Sequence, residues 1–445
     1  MEASSVGGLA RLDVAKMNSL HRRALFLVSL GEFIDGYDLL VMGGALLLLV
    51  PQFKLTPAQV GLLGSAAFLG AAVGLVVFGD MSDRVGRRAI FIFNLIAFVI
   101  FAILSAFITD ITQLFIARFI VGIAVGADIP TSTAFLAEMS PSRMRGALLG
   151  ALPNITWTVG AFTATILGFF LLGVGPDAWR WMFGLAAIPA LIVLLGRQTL
   201  PESPRWLISR GRFDEARSVL ERLGITNPDL SAYTAEKSRF SELFGPKLRS
   251  RTIWVSVIFG LNCLAGPIST IATPFILKYV GLVDTRSALL FSGVVWIFNF
   301  LGASSSFFLI DRLGRKKLSV LSMVPGGLLA VGIALFGVGN PKVMVPLFFL
   351  FGYFVWLGAP SLQWAWSSEL FPTRVRGRSQ GVCNAVCRIM IAANTFIIPV
   401  GLATVGFTPT ILLLSIPLFL YALITWTIPF FETKGKSLEE LAVGG

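Results

Sequence analysis

The sequence predicts an all-α integral membrane protein whose twelve transmembrane helices form two pseudo-symmetric six-helix bundles. Its 445 residues are 55% hydrophobic and only 13% charged, whereas a soluble domain carries about 25% charged residues. The mean hydropathy is +0.81, and apolar stretches of the roughly 20 residues needed to cross a bilayer recur along the chain. Short polar motifs also recur at matching places in the two halves.

The apolar stretches predict helices rather than barrel strands, because they are much longer than about ten residues and do not alternate polar with apolar positions. The predicted spans are 24–50, 57–79, 88–109, 111–138, 146–174, 179–199, 251–282, 286–310, 317–339, 342–370, 378–404 and 407–431. The N-terminal segment lacks an apolar core followed by a small-residue cleavage site, so we expect no cleaved signal peptide.

The longest polar stretch divides the chain into a first bundle (1–200), a cytoplasmic linker (201–250) and a second bundle (251–445). Within the linker, the segment FDEARSVLERL at 213–223 has helical periodicity and mixed charges. This pattern predicts a short helix on the membrane surface.

The net charge of +12 follows membrane topology and does not indicate a nucleic-acid partner. With the N-terminus inside, most of the 36 Lys and Arg residues fall on the inner side, and Arg118 and Arg388 fall within helices. Those on the outer side are Lys54, Arg180, Lys278, Arg286 and Lys342. This positive-inside distribution predicts a multi-pass protein of the plasma membrane with both termini in the cytoplasm.

Two polar motifs of the first half recur in the second. They are GDMSDRVGRR at 79–88 with LIDRLGRKK at 309–317, and AEMSPSRMRGALLG at 137–150 with SELFPTRVRGRSQG at 368–381. In the second pair, Glu138 and Glu369 are 231 residues apart, as are Arg145 and Arg376. A parallel repeat of this size is typical of transporters in which one bundle rocks against the other around a central site.

These motifs resemble those of a known family. The loop Gly79-Asp80-x-x-Asp83-Arg84-x-Gly86-Arg87-Arg88 is similar to the signature of the major facilitator superfamily. The segments PESPRWL at 201–207 and ETKG at 432–435 resemble the sugar-porter-like branch, which also holds phosphate, organic cation and organic anion carriers. The resemblance covers the whole chain and implies a secondary active transporter that works by alternating access, not an enzyme.

The resemblance also implies a cytoplasmic gate. Acidic residues at helix ends would pair with arginines of adjacent loops in one conformation and release them in the other. The predicted gating residues are Asp80, Asp83, Arg84, Arg87, Arg88, Glu138, Arg145, Asp311, Arg312, Arg315, Glu369 and Arg376.

Six ionisable side chains fall within predicted helices: Glu32, Asp35, Asp38, Arg118, Asp128 and Arg388. Each costs about 2.5–3.5 kcal/mol at mid-helix, so such residues are functional candidates by default. The alternative is that they form buried salt bridges that hold helices together. The three acids of the first helix are three residues apart and share one side of it. Ionising all three would have a high free-energy cost, which makes one of them a candidate proton carrier.

Two family resemblances assign roles to these residues. In proton-coupled sugar porters the Asp of G-Y-D on helix 1 works with the Arg opening helix 4, which implies that protonating Asp38 releases Arg118. The G-x-D-x-P at 126–130 resembles phosphate:proton symporters and implies that Asp35 and Asp128 handle protons in a central cavity. We expect the proton as coupling ion and no cofactor or metal. Sodium coordination by Asp35 and Asp128 stays open.

Arg388 indicates the substrate class, because a permanently charged guanidinium in a central cavity suits a carboxylate or phosphate. Its position on helix 11 resembles that of an arginine in organic-anion symporters. The alternative is internal pairing with Asp128 or Asp35. The other predicted substrate contacts are Asn154, Trp157, Asn262, Asn299, Tyr353, Trp356, Gln363 and Asn384. We therefore predict proton symport of a small organic anion by a monomer.

Several alternatives remain open. Sugar symport fits the loops, but Pro153 replaces the Gln that sugar porters carry on helix 5, and helix 7 lacks their paired Gln residues. Phosphate symport fits less well, since helix 7 has no acid. A proton-driven exporter and a non-transporting receptor on the same fold are further alternatives. We expect Cys263, Cys383 and Cys387 to be small buried apolar residues.

Overall fold

The computed structural model describes residues 17–139, 152–225, 240–279, 284–337 and 339–434. Twelve helices in these ranges are long and apolar enough to cross a membrane, which confirms the predicted fold class. The first half contains α1 (Ser19–Phe53), α2 (Pro57–Val85), α3 (Arg87–Phe107), α4 (Ile111–Met139), α5 (Leu152–Leu171) and a sixth span made of α6a (Ala178–Gly184) and α6b (Ala187–Arg197). The second half contains α7a (Arg249–Ala265), the short helix α7b (Thr273–Tyr279) that follows the seventh span, α8 (Thr285–Leu313), α9 (Arg315–Phe336), α10 (Pro341–Glu369), α11 (Thr373–Thr404) and α12 (Phe407–Thr427).

The linker between the halves contains two short helices, Pro204–Ser209 and Phe213–Arg222. The second confirms the helix predicted at 213–223. Its Ala216, Val219 and Leu220 are buried and join a small apolar core with the start of α1. The linker therefore packs against the first bundle.

The seventh predicted span is not one continuous helix. A 3₁₀ turn at Gly266–Ser269 separates α7a from α7b. Pro267 lies in this turn, and proline has no amide hydrogen and clashes with the preceding helical turn. The prediction of an unbroken helix over 251–282 was wrong for this reason.

Matching glycines connect α2 to α3 and α8 to α9. Gly86 has φ of 111° and Gly314 has φ of 84°, a region that glycine adopts without steric cost. The repeated motif D-R-x-G-R thus produces the same tight turn in both halves.

The two bundles have separate cores and meet along α2 with α11 and α5 with α8. The side that carries the described chain ends is called here the terminus side. Contacts between the bundles extend to the opposite side, where Lys278 Nζ donates to the Leu47 carbonyl at 3.4 Å. Ile271, Trp296 and Ala392 of the second half pack into the core of the first. The structure is therefore closed on the side opposite the termini.

Candidate functional site

The first feature of the site is a salt bridge between α1 and α4. Arg118 donates to both carboxylate oxygens of Asp38, at 2.8 and 2.6 Å, and to its backbone carbonyl at 2.9 Å. Both side chains are fully buried, and the guanidinium lies 4.9 Å from the centre of the Phe183 ring. The structure thus brings together the two residues that the resemblance to proton-coupled sugar porters linked.

A second buried salt bridge joins α4 to the end of α6b. Arg197 donates to both carboxylate oxygens of Asp128. Asp128 also accepts from Asn94 Nδ2 and from Ser132 Oγ, each at 2.8 Å. Arg197 is fully buried and was missed as an ionisable residue within a helix. It lies inside the predicted span 179–199, and that position was the signal that could have identified it.

The third feature lies where the bundles face each other. Glu32 and Asp35 of α1 interact electrostatically with Arg388 of α11. Arg388 is partly buried, and its Nε is buried without a hydrogen-bond partner among the described residues. The alternative role of Arg388 was internal pairing with Asp128 or Asp35. Arg197 occupies the Asp128 carboxylate, whereas Arg388 does interact electrostatically with Asp35.

These residues form one group, the inner charge cluster: Glu32, Asp35, Asp128, Arg197 and Arg388. Asp35 interacts electrostatically with the other four. Fully ionised, the cluster holds three carboxylates against two guanidiniums. Its net charge is therefore negative, even though it contains Arg388.

Aromatic side chains meet beside this cluster. Trp157 of α5 stacks on Trp356 of α10 with ring centroids 5.8 Å apart. Trp296 of α8 contacts both rings edge-on at 5.7 Å. Trp157 and Trp356 were predicted at the site, but Trp296 was not. Its position in the middle of the predicted span 286–310 was the available signal.

Apart from Asn154 of α5, the polar candidates are distributed along the second bundle. Asn299 is fully buried and donates to the Ser269 carbonyl at 3.3 Å, so it supports the break in helix 7. Gln363 donates to the Phe259 carbonyl at 3.5 Å, and Asn262 Oδ1 is buried without a partner among the described residues. The remaining candidates, Asn154, Tyr353 and Asn384, are partly buried. Gln363 and Asn262 therefore lie on neighbouring helices, α10 and α7a.

The cysteines differ from expectation. Cys263 of α7a and Cys387 of α11 form a disulfide, and only Cys383 is a free buried thiol in the described chain. The expectation of three apolar cysteines was wrong for the bonded pair, because the pairing depends on two helices 124 residues apart in sequence. The disulfide lies next to Arg388 and ties α7a to α11.

The predicted gating residues form equivalent networks on the terminus side of each half. Arg87 pairs with Glu138 at 2.9 Å, and Arg315 pairs with Glu369 at 2.8 Å. Two further pairs, Asp80 with Arg84 and Asp311 with Arg315, are at 2.6 and 3.0 Å. In the described residues all these pairs stay within one half. Arg145 and the side chains of Asp83 and Arg376 lie outside the described residues.

The sequence motifs that carried the resemblance add two acids to these networks. Glu202 accepts from the backbone amides of Arg87 and Arg88, each at 3.1 Å. Glu432 accepts from the amides of Arg315 and Lys316, each at 3.2 Å. Each carboxylate therefore satisfies amides at the start of α3 or α9, where the helix dipole favours negative charge. Glu202 and Glu432 were not predicted as members of the gate.

Comparison with known proteins identifies similar chains. A family model described as "Sugar (and other) transporter" matches residues 24–444. The putative metabolite transport protein YaaU of Escherichia coli is 33% identical, over 96% of this chain and 96% of its own length. The inner membrane metabolite transport protein YgcS of the same organism is 34% identical, over 98% and 96%. The fold matches the proton:xylose symporter XylE bound to 6-bromo-6-deoxy-D-glucose, with a TM-score of 0.76, 24% identity and coverage of 95% and 98%.

Proposed function

The chain belongs to the sugar (and other) transporter family, and from this premise we propose that it is a proton-coupled symporter of a sugar or a related polyol. The observation that carries the proposal is the fully buried Asp38–Arg118 salt bridge. The similar structure of a proton:xylose symporter supports it. As a member of this family the chain is a multi-pass membrane transporter.

Proton coupling follows from how this salt bridge is held. In the described residues, the Asp38 carboxylate accepts hydrogen bonds from Arg118 alone. Protonating Asp38 removes the charge that neutralises Arg118, and leaving one member of a buried pair uncompensated costs about 3–5 kcal/mol. The arrangement of α1 against α4 then changes to expose Arg118 to water or to another acceptor. Proton binding is thereby linked to the choice between two bundle arrangements.

The inner charge cluster supports a neutral substrate over the predicted organic anion. Arg388 faces Glu32 and Asp35, so its charge is offset before any substrate binds. An anion entering this site would have to compete with the Glu32 carboxylate for Arg388, whereas sugar hydroxyls can donate to carboxylates and accept from a guanidinium. Trp157 and Trp356 would supply the apolar surface that such pockets combine with a few polar groups.

The remaining predictions fit this proposal, except for the proton-carrying role of Asp128. Both termini would lie in the cytoplasm by the positive-inside rule, which makes the closed side of the structure the outer one. The Arg87–Glu138 and Arg315–Glu369 pairs would brace each half on the cytoplasmic side as the bundles rock. Asp128 would orient Arg197 rather than carry protons, since four donors stabilise its charged form.

Uptake by purified protein in liposomes tests the proposal. The panel pairs neutral sugars with their anionic counterparts, such as glucose with glucuronate, under an inward proton gradient and zero membrane potential. We expect the neutral member to accumulate above its external concentration and to bring protons with it. Preference for glucuronate would restore the organic-anion prediction. Accumulation only under an outward proton gradient would indicate an exporter, and gradient-independent equilibration of every sugar would contradict symport.

A further inference from the structure

A small cavity inside the first bundle contains two buried oxygen acceptors without donors. It lies between α1, α3 and α4 and is lined by Asp35, Asn94, Asp128 and apolar side chains that include Phe98. Asp35 Oδ2 and Asn94 Oδ1 have no hydrogen-bond partner among the described residues. Asp35 is 4% exposed and Asn94 is 2% exposed. An unsatisfied buried acceptor costs about 1–3 kcal/mol, so this arrangement requires a donor.

The orientation of Asn94 is determined by its other contact. Its amide nitrogen donates to Asp128 Oδ1 at 2.8 Å, so its carbonyl oxygen remains free as an acceptor. Turning the amide over would place that oxygen against a carboxylate. Asp128 offers no donor either, because Arg197, Ser132 and Asn94 already donate to both of its oxygens.

The charges around Asp35 independently indicate that a positively charged group is missing. The groups that interact with it are Glu32, Asp128, Arg197 and Arg388. With Asp35 ionised, this buried cluster carries one negative charge in excess, and an uncompensated charge inside a membrane protein is costly. One additional positive charge at Asp35 would make the cluster neutral.

We propose that Asp35 binds a proton on Oδ2, in addition to the proton that binds at Asp38. The resulting Asp35 hydroxyl donates to Asn94 Oδ1 across the cavity. A single proton supplies the missing donor and cancels the excess charge. A buried water would supply donors but would leave the charge. The inference rests on the proposed proton symport, to which it adds a second proton site besides Asp38.

Two proton sites change the energetics of transport in a measurable way. With zero membrane potential and a neutral substrate, each coupled proton multiplies the limiting accumulation by about ten per pH unit. One proton per substrate gives about tenfold accumulation, and two give about a hundredfold. The Asp35→Asn variant keeps Asp38 and should return the ratio to about tenfold per pH unit.

The test measures the proton gradient that just balances a known substrate gradient in liposomes. We expect two protons per substrate for the wild type and for an Asp214→Asn control on the exposed face of a linker helix, and one for Asp35→Asn. A wild-type ratio of one would overturn the second site and leave symport intact. A wild type without any proton coupling would overturn the proposed function. The wild-type ratio needs no variant, so a folding failure of Asp35→Asn would not obscure it.

Infrared spectroscopy provides a readout that does not depend on transport. Purified wild-type protein at neutral pH should show the carbonyl stretch of a protonated carboxylic acid, which Asp35→Asn should lack and Asp214→Asn should retain. Persistence of this band in Asp35→Asn, or its loss in Glu32→Gln instead, would overturn the assignment to Asp35. Absence of the band from the wild type would mean that the cavity holds only a water.

Discussion

Asp38 and Asp128 each meet an arginine deep inside the first bundle, yet their surroundings differ. Asp38 accepts side-chain hydrogen bonds from Arg118 alone in the described chain. Asp128 accepts from Arg197 and additionally from Asn94 and Ser132. The first pair joins α1 to α4, whereas the second joins α4 to α6b and α3 within the same bundle.

This difference distinguishes a salt bridge that can open on protonation from one that supports the structure. A carboxylate held by one partner loses most of its stabilisation when that partner leaves, so its protonation and the movement of the partner are linked. A carboxylate with four donors stays charged through partial rearrangements. We therefore assign coupling to the Asp38 pair and structural support to the Asp128 pair, although the sequence presented both as intramembrane acids.

The largest expected effect concerns stability. Arg197→Met leaves Asp128 as an uncompensated buried charge, which should reduce the free energy of unfolding by about 3–5 kcal/mol. Thermal unfolding in detergent measures the loss. The exposed Arg212–Glu215 pair is the matched control, since its side chains are 48% and 56% exposed, and Arg212→Met should cost about 0–1 kcal/mol.

The double variant Arg197→Met with Asp128→Asn sharpens this test. Because it removes both charges, most of the lost stability should return. A double variant as unstable as Arg197→Met alone would show that packing of the arginine, rather than its charge, stabilises the bundle. The contrast between the two salt bridges would then lose its electrostatic basis.

Arg388 extends the comparison to an arginine that has no salt-bridge partner in the described residues. A hydrogen bond to a charged group is worth about 1.5–3 kcal/mol, so Arg388→Gln should weaken substrate binding about ten- to a hundredfold. Removing Arg388 also takes a positive charge away from Glu32 and Asp35, so the midpoint of thermal unfolding without substrate should fall below that of the exposed Lys342→Gln control. Equilibrium binding of the transported sugar is the measurement. Unchanged affinity would remove Arg388 from the site.

The smallest expected effect tests the donors that distinguish Asp128 from Asp38. Ser132→Ala removes one of four donors and should cost about 0.5–1.5 kcal/mol of stability. Ser105 is also buried but donates to the Phe101 carbonyl of its own helix instead, so the chemically identical change Ser105→Ala serves as the control. If Ser132→Ala is as stable as this control, the Ser132 hydroxyl does not contribute to the structural support around Asp128.

The twelve spans could be predicted because hydropathy is a local property of the sequence, and the pairing of Asp38 with Arg118 was implied by the family resemblance of their motifs. The Asp128–Arg197 pair could not, since it depends on how α4 and α6b rotate against each other. The same holds for Trp296 and for the Cys263–Cys387 disulfide, which need the packing of distant helices. The break at Pro267 had a local signal that the hydropathy criterion overlooked.

The sequence led to an organic anion and we propose a sugar instead, for a related reason. Arg388 taken alone indicates an anion, and its sequence neighbours do not reveal that Glu32 and Asp35 face it from the other bundle. The charge of a site is a sum over residues that the fold brings together. A single residue in the sequence therefore gives the sign of one charge at the site and not the sign of its net charge.

The most direct test of the account is Asp38→Asn in liposomes, assayed for accumulation and for exchange. The account predicts that this variant exchanges labelled for unlabelled sugar under equal pH, which shows that it is folded and binds substrate, but no longer accumulates sugar under an inward proton gradient. The Asp214→Asn control should exchange sugar under equal pH and also accumulate it under the proton gradient. Gradient-driven accumulation by Asp38→Asn at the wild-type level would contradict the assignment of coupling to the Asp38–Arg118 pair.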